Sequence, residues 1–594
     1  MTEYDIVINN GLIIDGLGQT AYHGSVAIKG ERITSIGNVE PVAERVIDAK
    51  GSLVTPGFID VHSHADLMLN WFPRCENYAM QGVTTFVGGL CGDSPAPLGE
   101  YLYIPFLYFP LQQHYCEFID YKYYPNDIYP MEKINEWMKD KYGWEITWRE
   151  MAGFFDEVDR LGISINYVPF VGHCTVRQAV MGSDAKRVAT DQEVGEMVEL
   201  IHKAMEQGCV GLSTGIDYDP GTFAERSEVN RCVEAIKEYG GIYSTHWRRT
   251  GRRRDWAFGH QPANPIQGII DELETAKKTG VKIQLSHLSP GYQVTPPPPR
   301  SLQVAVADAT LEVIDKYIAE GVDAHFDVIP FNPNWDAMPY LCSLLEPWLR
   351  ELGGRKQLAR WLKSPDYRQE IKEALRAGKW WIRVAYNPVT NFYWSQNVKV
   401  VKSKVPGVDG KTLEQISKEW SRDPMDAWFD IISEDPDTRG ALRGTVGASD
   451  AFEQTVFKHS RSMVGIDTFV YDDKYQQTCP PYSIPGVNTY GAYPSFLKRI
   501  VEENSTLPLE EAITRCCSLP AASHKIEDRG ALKVGYYADI NVIDWGDYKS
   551  LGDEVEPRRY PSGVHYVLVN GKIIVDNQKM VDVRPGKILT RKEK

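Results

Sequence analysis

Two histidines lie two residues apart in the stretch Thr55-Pro-Gly-Phe-Ile-Asp-Val-His-Ser-His-Ala-Asp66. On an extended chain the side chains of His62 and His64 project to the same side. Imidazole is a common ligand for zinc and similar ions, so the pair forms half of a metal site. Taken alone, such a pair is as readily two hydrogen-bonded histidines at a strand end. Four further residues able to bind a metal or move a proton end apolar runs elsewhere. Cys91 closes Gly88-Gly-Leu-Cys, His246 closes Ile242-Tyr-Ser-Thr-His, His287 closes Ile283-Gln-Leu-Ser-His, and Asp467 closes Met463-Val-Gly-Ile-Asp. A thiolate is a good zinc ligand, and zinc held by three protein groups leaves a position for water, lowering its pKa to about 7. A carboxylate beside that water can act first as general base and then as general acid. The chemistry these residue types point to is hydrolysis by metal-activated water.

The elements that must position them alternate between strand and helix through the middle of the chain, the pattern of a parallel βα fold. Strands are expected at 56–62, 83–91, 163–171, 209–215, 241–246, 281–287, 322–328 and 461–467, with helices such as 191–207 and 264–279 between them. Eight βα units predict an α/β fold, a distorted TIM barrel. The reactive groups of that fold sit at the C-terminal strand ends, where His62, His64, Cys91, His246, His287 and Asp467 all fall. The two chain ends have a different character. Tyr4–Asn9, Gly24–Lys29 and Arg32–Ile36 read as short strands separated by turn residues. So do Ala538–Asp544 and Gly563–Val569, with Asn570-Gly571 as a hairpin turn before Lys572–Val575. Both termini together predict a small β-sandwich domain, from residues 1–55 and 526–594, around a barrel at 56–525. Two insertions, 98–150 and 329–460, interrupt the barrel. The first is crowded with Tyr, Phe, Trp and Pro, whose burial is strongly favourable. It is read either as a lid over the barrel mouth or as a packing or oligomer surface.

Bulk properties bound the rest. A chain of 594 residues exceeds one ordinary compact core. A net charge of −15 offers no broad basic surface to nucleic acid. Ten cysteines without a dense framework fit reduced thiols, and the acidic N-terminal stretch lacks the apolar core of a signal peptide. No window approaches the roughly 18 apolar residues of a membrane span. A cytoplasmic enzyme acting on a small molecule is the expectation, with a homo-oligomer left open.

The His62/His64 stretch resembles the first-strand signature of the amidohydrolase superfamily. Gly89-Leu-Cys-Gly-Asp-Ser-Pro-Ala-Pro97, Val171-Gly-His-Cys-Thr-Val-Arg177, Gly211-Leu-Ser-Thr-Gly-Ile-Asp-Tyr-Asp-Pro-Gly221 and Tyr490-Gly-Ala-Tyr-Pro494 are similar to segments of its N-acyl-D-amino-acid deacylase (D-aminoacylase) branch. The likeness runs over nearly the whole chain. It implies zinc, one or two ions per chain. Cys91, His246 and His287 would be the tight ligands, and His62, His64 and Asp467 a looser second group, with Asp467 also the catalytic base and acid. Many amidohydrolases carry a carboxylated lysine on the fourth strand; Cys209–Gly215 has none, and Cys91 stands in its place. Other departures concern the substrate. Ser289 replaces a lysine that in the family helps hold the substrate carboxylate. Tyr482–Tyr490 stands where a His-Pro-Arg segment is usual. Arg248 and Arg249, followed by Arg252, Arg253 and Arg254, are the best replacement cations. Tyr218 and His173 complete the candidate substrate contacts, while Asp66, His325 and Asp327 are read as supporting or core polar groups. Two other readings remain. One is a hydantoinase- or dihydropyrimidinase-like hydrolase of cyclic or aromatic amides; the other is a non-catalytic scaffold, which retention of every ligand disfavours.

Overall fold

The computed structural model describes residues 4–103, 128–249, 265–290, 299–330, 335–377, 387, 389, 392–443, 450–476, 482 and 484–591. Eight parallel strands form the central sheet: β1 (Phe58–Asp60), β2 (Val83–Gly88), β3 (Asn166–Gly172), β4 (Gly211–Gly215), β5 (Ile242–His246), β6 (Lys282–Leu285), β7 (Ala324–Val328) and β8 (Ser462–Val464). Each of the eight expected ranges holds one strand. Neighbours follow chain order from β1 to β7, and β8 then pairs with β7. These strands are buried almost throughout, as parallel strands covered on both faces must be.

Closure of the barrel is made by the candidate ligands themselves. The Asp467 amide donates to the His62 carbonyl (2.8 Å) and the His64 amide to the Thr468 carbonyl (2.8 Å). Asp60 reinforces the seam, its Oδ1 accepting from the amides of Ile466 (2.9 Å) and His62 (3.2 Å). The first and last strands are therefore held together at the level where the reactive side chains emerge.

Helices ring the barrel because their apolar residues recur on one face. Asp191–Glu206 shows how: Val194, Met197, Ile201, Ala204 and Met205 are its buried residues, a spacing of three, four, three and one that lines a single stripe. Its start is set by a capping box in which the Thr190 hydroxyl and the Glu193 side chain each bond the other's backbone amide.

The termini meet in one nine-stranded sheet. Leu53–Pro56 pairs antiparallel with Ile540–Ile543, which joins the N-terminal strands to the C-terminal ones. The small β-domain expected from both termini is built on this sheet, one face of which packs a core containing Ile6, Ile8, Val26, Val54, Ile540, Val542 and Leu568. Its other face, with Val567, Val569 and Val575, joins the main core of the barrel. Asn570 and Gly571 both take positive φ, as the predicted two-residue hairpin requires.

The described part of the first insertion packs inward. Tyr101–Tyr103 pairs with Ile128–Pro130, and the helix Met131–Tyr142 follows. Trp71, Trp144 and Trp148 contact one another in series, and the Trp148 indole donates to the Pro95 carbonyl (3.0 Å). Residues 104–127 lie outside the described residues, as do Arg252, Arg253 and Arg254. The second insertion carries a three-stranded sheet, with Arg439–Arg443 between Trp335–Met338 and Val398–Lys402. It has its own core, built on Leu341, Leu358, Leu375, Trp394 and Trp428. Among the described residues no helix is long and apolar enough to cross a membrane.

Candidate metal centre

Six ligand atoms from five strands converge at the barrel mouth. Cys91 Sγ lies 3.6 Å from His246 Nδ1 and 3.7 Å from His287 Nε2, and these two nitrogens are 2.9 Å apart. His62 Nε2 lies 3.2 Å from the same sulfur and 3.3 Å from Asp467 Oδ1, which is 3.2 Å from His64 Nε2. Two groups of potential ligands result, Cys91/His246/His287 and His62/His64/Cys91/Asp467, with the thiol common to both. Ligands 2.0–2.3 Å from a tetrahedral zinc stand about 3.3–3.8 Å from one another; both sulfur–nitrogen distances suit such an ion, while the two imidazole nitrogens stand closer together than that range. A sulfur with imidazoles is also the donor set zinc favours.

The backbone is strained to reach this geometry. Cys91 (φ +52°), His287 (φ +38°) and Asp467 (φ +53°) all adopt the left-handed region, which costs a non-glycine residue of order 1 kcal/mol or more. Each follows the end of its strand and turns its side chain over the barrel axis. Gly465 makes room: a Cβ there would come within 2.6 Å of His62 Cβ and 2.7 Å of Asp327 Oδ2.

Electrostatics mark the pocket as a place for a cation. Burial alone would raise the Cys91 thiol, but His62, with hydrogen bonds from His246 and His287, holds it well below its ordinary value. Burial likewise opposes ionisation of Asp467, and His62, His64 and His287 override it, keeping the carboxyl well below the usual range. Against their own desolvation, His62 is pushed up by Asp327, Cys91 and Asp467, and His64 up to about 10 by Asp467 and Cys91. Negative charge on Cys91 and Asp467 and positive charge on His62 and His64 thus favour one another in the buried pocket, and a divalent ion would take over the cationic part. Asp467 keeps 24% of its side chain exposed, which leaves it an open edge toward the mouth.

The other predicted contacts divide. The Tyr218 ring packs on His246 (centroids 4.6 Å apart), and its hydroxyl donates to the Cys91 carbonyl (2.7 Å). Arg249 is half-buried, with Nη2 3.1 Å from His246 Nε2 and its amide donating to Asp217 Oδ1 (3.2 Å). Arg248 Nε donates to the Ile216 carbonyl (3.3 Å), and Ser289 is half-buried two residues beyond His287. His173 is fully buried with Nε2 2.9 Å from Glu228, which also binds Arg177. Three residues that sequence reasoning did not single out support the ligands: Asp217 beside His246 (3.6 Å), Gln284 on Asp327 (2.6 Å), and Phe469, whose ring lies 5.4 Å from that of His64.

A model described as the amidohydrolase family matches residues 45–240 and 447–575. That span carries His62, His64, Cys91 and Asp467 and leaves out His246 and His287. The chain is 27% identical to N-acyl-D-glutamate deacylase of Alcaligenes xylosoxydans xylosoxydans, over 99% of its own length and 96% of the relative's. It is 25% identical to D-aminoacylase of the same organism, over 99% and 98% of the two chains. The solved N-acyl-D-glutamate deacylase from Bordetella bronchiseptica holds zinc and a phosphonate inhibitor that mimics the tetrahedral intermediate. It is 24% identical and superposes with a TM-score of 0.67 over 99% of each chain.

Proposed function

The chain belongs to the amidohydrolase family, and on that premise we propose that it is a zinc-dependent hydrolase of C–N bonds other than peptide bonds. Its substrate in this reading is a small amide of the N-acyl-D-amino-acid kind, the class named by its relatives. The observation that carries the reading is the convergence of the two ligand groups on one thiol at the barrel mouth.

Cys91, His246 and His287 would hold the tight ion, and His62, His64 and Asp467, with Cys91 shared, a second. Bound there, zinc supplies a Lewis acid for the amide carbonyl and makes a water nucleophilic near neutral pH. Asp467 accepts the proton of the attacking water and returns it to the leaving nitrogen. Its exposed edge toward the mouth suits the first half of that task. Tyr218 keeps the Cys91 backbone in place through the carbonyl it binds. Arg249, with Arg248 behind it, serves an anionic group on the substrate, where Ser289 provides no charge. A carboxylate drawn into so desolvated a mouth needs a cationic partner.

The test combines zinc content with amine release from N-acyl-D-amino acids, cyclic imides and neutral aromatic amides. At least one zinc per chain and D-selective release are expected. Asp467→Asn should retain zinc in the Cys91 group while turnover falls by about 10²–10⁴-fold. Turnover of cyclic imides alone would move the substrate to the hydantoinase kind. Turnover undiminished in Asp467→Asn would remove that residue from the chemistry.

A further inference from the structure

Asp327, fourth residue of β7, is fully buried and surrounded by donors from two other strands. Its Oδ2 accepts from His62 Nδ1 (3.1 Å) and from the His287 amide (2.8 Å), and its Oδ1 from Gln284 Nε2 (2.6 Å). Gln284 Nε2 also donates to the carbonyl of Val61, the residue before His62 (3.1 Å). One carboxylate oxygen therefore touches a side chain of one ligand group and the backbone of the other.

We propose that Asp327 is a positioning residue that couples the two ligand groups, so that metal affinity at each depends on it. The inference rests on the zinc reading above. Two physical effects carry it. By accepting from Nδ1, Asp327 fixes His62 as the Nδ1–H tautomer and leaves the Nε2 lone pair facing Cys91 and Asp467. By accepting from the His287 amide, it helps hold a residue whose φ of +38° is otherwise unfavourable, and with it the aim of His287 Nε2 at Cys91 and His246. The Leu288 amide, donating to the Asp327 carbonyl (2.7 Å), locks the same turn to β7. Substituting the carboxylate thus reaches both metals, whereas His64 belongs to one group only.

The experiment is a zinc titration against a competing chelator, for wild type, Asp327→Ala, Asp327→Asn and His64→Ala. Cobalt(II) substitution gives a second readout through the thiolate charge-transfer band of Cys91. Asp327→Ala should weaken both ions by about 10–100-fold and shift that band, and His64→Ala should weaken one. Asp327→Asn keeps an acceptor for His62 and His287. Its amide can donate to Gln284 Oε1, which has no hydrogen-bond partner among the described residues, if Gln284 turns. It should fold and fall between wild type and alanine. Folded Asp327→Asn and Asp327→Ala proteins with wild-type affinity at both ions overturn the coupling. Weakening confined to one ion overturns it as well. A wild type that takes up no zinc overturns the metal reading first, and this inference with it.

Discussion

The same barrel strands carry a polar cluster at each end, and only one is built for a metal. On β7, His325 and Asp327 are two residues apart and share a face. Asp327 reaches the mouth, where its neighbours aim lone pairs at a common point. His325 lies at the opposite end with Lys282, Asp323 and Arg461. There Arg461 Nη1 donates to Asp323 (2.9 Å) and stands 3.1 Å from His325 Nε2, while Lys282 Nζ is 3.7 Å from Asp323. Cations surround the one carboxylate, so an added metal ion would meet repulsion and few open lone pairs. Histidine and aspartate on an inward strand face are thus no metal site in themselves. Convergence of lone pairs from several strands is what distinguishes the mouth.

The largest contrast should come from removing one histidine at each end. His246→Ala deletes a ligand of the tight group and should remove zinc, with kcat/KM falling by 10³-fold or more, on the order of the several kcal/mol a metal supplies. His325→Gln should keep zinc content and leave kcat/KM within about twofold. Equal losses from the two variants would break the comparison, because the far end would then act on the chemistry.

Arginines allow a finer version. Arg249→Gln removes a cation from the mouth. A charge-assisted hydrogen bond is worth about 1.5–3 kcal/mol, so KM for an anionic N-acyl substrate should rise roughly tenfold or more. A neutral amide should be unaffected. Arg461→Gln, at the other end, should change neither constant. Steady-state kinetics on a matched pair of charged and neutral amides reads this directly. An unchanged KM for the anion would move the carboxylate contact away from Arg249.

How much of this was legible beforehand depends on whether a feature is local. The eight strands were, because buried apolar runs announce them, and so was the Asn570-Gly571 turn. The six candidate ligand positions were visible as reactive residues closing those runs. The left-handed backbones of three of them were not, since nothing about Cys91, His287 or Asp467 as residue types asks for positive φ. Contacts from other strands impose it. Asp217 and Gln284 gain their roles from partners dozens of residues away, and no spacing in the chain reveals such pairs. His173 sits near a strand end like the ligands, yet its ring is committed to Glu228. That both termini build one β-domain was legible in their short strands and turns. The Leu53–Pro56 to Ile540–Ile543 pairing that joins them was not, because it spans nearly the whole chain.

The smallest expected effect sharpens the contrast through pH. Burial, followed by the charges of Lys282 and Arg461, pushes His325 down to about 3, with Asp323 opposing only in part. Its folded-state pKa is therefore below the roughly 6.5 of an unfolded histidine. Between these values the unfolded chain binds a proton that the folded chain does not, so this group costs stability as pH falls from about 6.5 toward 3. The limiting slope for one proton is about 1.4 kcal/mol per pH unit. Carboxylates and His524, itself lowered to about 4 by burial, add slopes of their own, so the informative quantity is the difference between His325→Gln and wild type. Denaturant midpoints of the zinc-loaded proteins, measured from pH 7 to 4.5, should fall less steeply in the variant. Identical slopes would mean that the proton enters the folded cluster as readily as the unfolded chain. In that case the far end of the barrel would not be the cation-rich, proton-excluding counterpart of the mouth.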